Sequence, residues 1–148
     1  MYIDSLLRVC SAQAFAATGV SASSIDLGVP GGTGTPPQRE LGTGEPMGFG
    51  ISVGVLPTAP AITFEIIEAT DAALTAGIVS LVSMTKAPAD LPAGTNFFLP
   101  MPPGPPAARY LGLRVTIASG AANGITAWLT AHSLFSITAK TYAKNYVV

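Results

Sequence analysis

His132 is the single histidine of the chain, so any Ser-His-Asp relay or histidine acid–base scheme has to run through it. It stands between Ala131 and Ser133 at the end of a predicted strand, with no acid or cysteine beside it. That context reads as a strand-end surface histidine. Glu65, Glu68 and Asp71 form the only close group of carboxylates. The two-residue alternation of the predicted strand around them puts Glu65 and Glu68 on opposite faces; a glycosidase pair is formally open to any two acids, but nothing marks one, and no cation cage is clustered. Cys10 is the only cysteine, which forbids an internal disulfide and a multi-thiolate metal site. It reads as a small buried apolar residue. The glycines at 42, 44, 48, 50 and 54 are not followed by the Gly-Lys-Ser/Thr of a phosphate loop. The cations Arg8, Arg39, Lys86, Arg109, Arg114, Lys140 and Lys144 are scattered and form no basic stripe for nucleic acid. No residue is therefore assigned a catalytic, cofactor-binding or metal-binding role, and no cofactor is expected. The reading is that the protein is not an enzyme.

Few charges are available at all. Lys and Arg number 7, Asp and Glu 8, and charged residues make up 10% of a chain that is 49% hydrophobic. A soluble domain is about 25% charged. A folded chain of this mass exposes roughly 7,000 Å², so its charges are spaced about one per ~470 Å², too sparsely to break up apolar patches. Such a surface belongs in a membrane or against other proteins. The membrane alternative lacks a segment. A spanning helix needs about 20 consecutive apolar residues, and Gly, Ser and Pro interrupt every apolar run here. A small membrane β-barrel is poorly supported by so few aromatics. The first residues carry Asp4 and no basic region before an apolar run, so a signal peptide is not expected. Synthesis and use on the cytoplasmic side, with no membrane and no nucleic-acid partner, is the expectation. The apolar excess points to protein contacts.

The elements that would position these residues are short strands. A single domain over 1–148 is expected, with residues 1–23 as an extended N-terminal arm holding a short strand. Residues 24–27 read as a strand, and 28–46 as a long Gly/Pro loop, well beyond ordinary connection length. From Met47 the period becomes two: Met47, Phe49, Ile51, Val53 and Val55 alternate with Gly48, Gly50, Ser52 and Gly54. One face is large and apolar and the other nearly bare. Glycine there lets another surface come close, either the chain's own or a partner's. Residues 62–69, 78–84, 96–99 and 110–117 read as further strands. Prolines across 100–106 read as a stiff surface connection. Asn123-Gly124 is a strong turn signal leading into a partner strand over 125–131. Residues 133–148 read as a last strand or a strap added to a neighbour's sheet edge. Short strands with Gly/Pro turns and no convincing long helix indicate an all-β, jelly-roll-like antiparallel sandwich.

The order of features resembles a known family. Met1-Tyr-Ile-Asp-Ser-Leu-Leu is followed by Ala12-Gln-Ala and Ser24-Ile-Asp-Leu-Gly; then come Arg39-Glu-Leu-Gly-Thr-Gly-Glu-Pro46 and Arg109-Tyr-Leu-Gly-Leu-Arg-Val-Thr-Ile. Over residues 1–131 this is similar to the capsid cement (decoration) proteins of tailed bacteriophage heads. The resemblance implies a jelly-roll-like sandwich that binds the outside of an assembled shell as a small homo-oligomer, a dimer or trimer. It would bridge major capsid protein subunits and reside on the outer surface of the virion. Interface anchors are expected at Tyr2 in the arm, Arg39 and Leu41 in the loop, and Tyr142 and Tyr146 in the tail. A second reading is a phage tail or fibre-associated sandwich that binds host glycans on an aromatic platform of Trp128 and Tyr110. A small sandwich enzyme built on His132 is the third.

Overall fold

The computed structural model describes residues 5–29, 41 and 44–139. Nine strands and one helix follow in order: β1 (Arg8–Phe15), β2 (Gly19–Val20), β3 (Ile25–Asp26), β4 (Met47–Val53), β5 (Ile62–Ala69), β6 (Val79–Lys86), β7 (Thr95–Pro100), β8 (Tyr110–Ile117), β9 (Ala122–Ala131) and α1 (His132–Ala139). They form two antiparallel sheets. The first has the order β1-β9-β4-β7. The second has β2-β8-β5-β6, with β3 also pairing β8. Only the β2–β3 and β5–β6 connections stay within one sheet; the others cross between sheets. The fold is an all-β sandwich, as the alternating pattern predicts.

Alternation builds the core. Phe49, Ile51 and Val53 of β4 and Ile125, Ala127 and Leu129 of β9 face Ile62, Phe64 and Ile66 of β5 and Leu111, Leu113 and Val115 of β8. All are buried. Phe64 and Phe97 meet edge to face, with ring centroids 5.1 Å apart, the geometry favoured by aromatic quadrupoles.

Three local expectations change. The stretch read as an arm carries β1, an eight-residue edge strand with Val9, Cys10 and Phe15 buried. Its register slips three times, and Ala12 takes a positive φ of 47° while its N–H donates to Thr126 Oγ1 at 2.9 Å. Asn123-Gly124 does not make the turn. Both lie inside β9, and the turn is the preceding loop, where Gly120 has φ 80°. Gly124 keeps a positive φ of 70° because its carbonyl turns to accept the Gly54 N–H at 2.9 Å. The start of the tail is helical: residues 132–139 form α1 rather than a strand.

Candidate interaction surface

The alternation that sends Phe49, Ile51 and Val53 inward turns Gly48, Gly50 and Ser52 outward on the first sheet. Gly50 pairs with Trp128 on one side and Phe98 on the other. A Cβ on Gly50 would lie 2.6 Å from the Trp128 ring and 3.0 Å from Phe135, so the absence of a side chain makes the groove these aromatics fill. Helix α1 lies over it. Phe135 stands 5.5 Å from Phe98 and 6.3 Å from Trp128 by ring centroids, and His132 packs edge-on to Phe98 at 5.0 Å. The helix start is held from the segment preceding β4. The His132 N–H donates to the Pro46 carbonyl at 2.8 Å, and the Ser133 N–H donates to Glu45 Oε1 at 3.0 Å. These bonds satisfy donors that a helix N-terminus leaves open. Hydrogen bonds from the Ser133 side chain and backbone hold the Glu45 carboxyl below its ordinary value. Trp128 is left 4% exposed.

The second sheet is different outside. Arg114 pairs with Glu65, and Thr63 bonds Thr85 across strands at 2.8 Å. The guanidinium beside Glu65 keeps that carboxyl low. Arg109 clasps Asp26 through two bonds of 2.9 and 2.7 Å and lies over the Tyr110 ring at 5.1 Å. Asp26 also accepts the Gly28 N–H at 2.9 Å. The contrast between sheets is large. The 31 residues of β1, β4, β7 and β9 hold one charge, Arg8, whereas the 28 residues of β2, β3, β5, β6 and β8 hold five.

Two of the connections at one end of the sandwich are also uncharged, beside the β6–β7 connection that carries Asp90. The β4–β5 loop over 54–61 and the β8–β9 turn over 118–121 contain no ionisable side chain. They are tied together: the Thr58 N–H donates to the Ala121 carbonyl and the Ala121 N–H to Thr58 Oγ1, both at 2.9 Å. Val55 and Leu56 project from this stiff tip, 52% and 55% exposed.

The family model described as Bbp16 matches residues 9–128, from β1 through most of β9. The chain belongs to the Bbp16 family. No curated protein matches it. The Bbp16 match covers both sheets and the uncharged tip and stops before α1, so the helix over the Gly50 groove lies outside the matched region.

Of the anchors expected from sequence, Tyr2, Arg39, Tyr142 and Tyr146 lie outside the described residues. Leu41 is half-buried, packs against the core and accepts the Gly104 N–H at 3.4 Å, so its described contacts are within the chain. Cys10 is buried, and desolvation pushes its thiol up to about 11. Glu65 and Glu68 do point to opposite faces: Glu65 bonds Arg114 outside, and Glu68 is buried inside. Among the described residues no three His, Cys, Asp or Glu gather as a metal site, and no helix is long and apolar enough to cross a membrane. Trp128 and Tyr110 belong to different sheets, and Trp128 is buried, so they form no common platform for a sugar. The roles of Glu45 and Glu68 are not visible in the sequence, although Glu68 stands out there as one of three neighbouring acids. Each acts on backbone distant in sequence, across 88 residues for Glu45 and 39 for Glu68, and no local pattern signals that.

Proposed function

We propose that this protein is a structural virion component that binds the outer surface of an assembled bacteriophage capsid and stabilises it by bridging major capsid protein subunits, acting as a small homo-oligomer. The observation that carries the reading is the uneven distribution of charge. The first sheet and the 54–61 tip are almost free of charge, while the two ion pairs of the described residues, Glu65–Arg114 and Asp26–Arg109, lie on the second-sheet side. Protein interfaces are depleted of charge at their centres and leave it to the rim and the solvent side. The first sheet and its tip therefore make the shell side, and the Glu65–Arg114 and Asp26–Arg109 side faces solvent. The sequence resemblance to head cement proteins supports the same reading.

The mechanism is mass action. A protein that binds the closed shell and not its separated subunits stabilises the shell by RT ln(1 + [L]/Kd), about 2.7 kcal/mol per site at 100-fold excess over Kd. Copies that touch two subunits gain further through effective concentration. A tip pre-ordered by its own hydrogen bonds loses little entropy on docking. Cosedimentation of the purified chain with heads lacking it tests the reading. Saturable binding that raises the temperature of head opening is expected. Heads that neither bind the chain nor change in stability refute it.

A further inference from the structure

Glu68 is 3% exposed, yet no cation in the described residues pairs with it, whereas Asp26 and Glu65 each have an arginine. Its Oε2 accepts the Ala107 N–H at 2.6 Å and the Ala108 N–H at 3.0 Å. Its Oε1 accepts no hydrogen bond from the described residues. Glu68 lines a cavity of about 100 Å³ whose other described walls are Leu27, Leu41, Leu81, Met101 and the proline-rich 102–106 segment. Pro102, Pro103 and Pro105 are exposed, so the cavity reaches the surface. A buried carboxylate without a counter-charge is costly, and a cation that reached it would be strongly held.

We propose that this cavity receives a lysine side chain from a protein partner, with the ammonium on Glu68 Oε1 and the methylene stem along the proline walls. The backbone bonds occupy Oε2, so one oxygen remains. That suits a compact ammonium, which binds as a point charge, over a guanidinium, whose advantage lies in bidentate pairing. The apolar walls suit the aliphatic stem of lysine. The inference rests on the shell-binding reading only for the identity of the partner.

The test uses a free amine, so failure here and failure to bind heads are separable. n-Butylammonium chloride is titrated into the isotope-labelled full chain at fixed ionic strength, and the Ala107 and Ala108 amide resonances are followed. Saturable shifts are expected at both, with n-butanol binding at least about tenfold more weakly, the difference a charge-assisted bond supplies. Glu68→Gln keeps an acceptor for both backbone donors but removes the charge, and Leu81→Trp fills the cavity while keeping Glu68. Both should abolish the amine response. Equal response to butanol, no response to the amine, or shifts that survive either substitution overturn the proposal. So does an Arg39→Ala variant that alone reproduces the Glu68→Gln shifts, because the cation is then the chain's own.

Discussion

Replacing Phe135 by alanine should uncover Trp128, and the chain's single tryptophan makes the event directly visible. Phe135 is the aromatic that α1 sets over the Gly50 groove, against Phe98 and Trp128. Truncating a fully buried phenylalanine costs about 3–5 kcal/mol. Phe135 is half-buried, so about half of that applies, roughly 1.5–2.5 kcal/mol. For a chain of this size the melting temperature should fall by roughly 3–10 °C. Before melting, Trp128 emission should shift to the red and acrylamide quenching should rise, because a residue 4% exposed becomes accessible. Leu134→Ala is the control. Leu134 is 56% exposed on the same helix, and its loss should leave both readouts unchanged. Unchanged quenching in Phe135→Ala, or an equal response from Leu134→Ala, would refute the claim that this helix covers the groove.

Gly50→Ala should disturb the same site from below, since the new Cβ meets the Trp128 ring at 2.6 Å; overpacking of this kind costs about 1–3 kcal/mol, and Gly44→Ala, with no neighbour within 4 Å, should be silent in the same melts. Glu45, Glu65 and Asp71 are all held below their ordinary values of 4.5, 4.5 and 3.8 by hydrogen bonds made in the fold. Depressed carboxyls contribute stability that is present above the unfolded value and lost as pH falls through the folded one. Trp128 fluorescence should therefore report loosening of α1 below about pH 4.5, and Glu45→Gln should remove that transition while the global acid transition remains. Cys10, raised to about 11 by burial, should not react with a thiol reagent at pH 8 in the native chain and should react on unfolding. Prompt native labelling contradicts its burial.

Strands β4, β5 and β8 were legible because each combines a period of two, over at least its first half, with β-branched or aromatic side chains. The outward glycines of β4 were legible as a place of close approach, but what approaches was not. Phe135 lies 85 positions from Gly50, and α1 depends on a cap from Glu45, 88 residues before Ser133. A short segment rich in Ser and Thr has little helical propensity of its own. Its conformation comes from the aromatic groove and the cap, both supplied by tertiary structure. Asn123-Gly124 misled for a related reason: glycine's positive φ serves a contact with Gly54 inside a strand, and the turn falls just before it. Glu68 was legible as an acid on the face opposite Glu65, but nothing in its neighbours discloses that the backbone at 107–108 folds onto it.

A cryo-electron-microscopy map of phage heads carrying this chain would show whether it bridges capsid subunits, and through which face. Density for the sandwich is expected on the outer surface, spanning at least two major capsid protein subunits. The first sheet with its 54–61 tip should face the shell, and the Glu65–Arg114 side should face solvent. Heads without such density, or the chain docked through its ion-paired face, would contradict it.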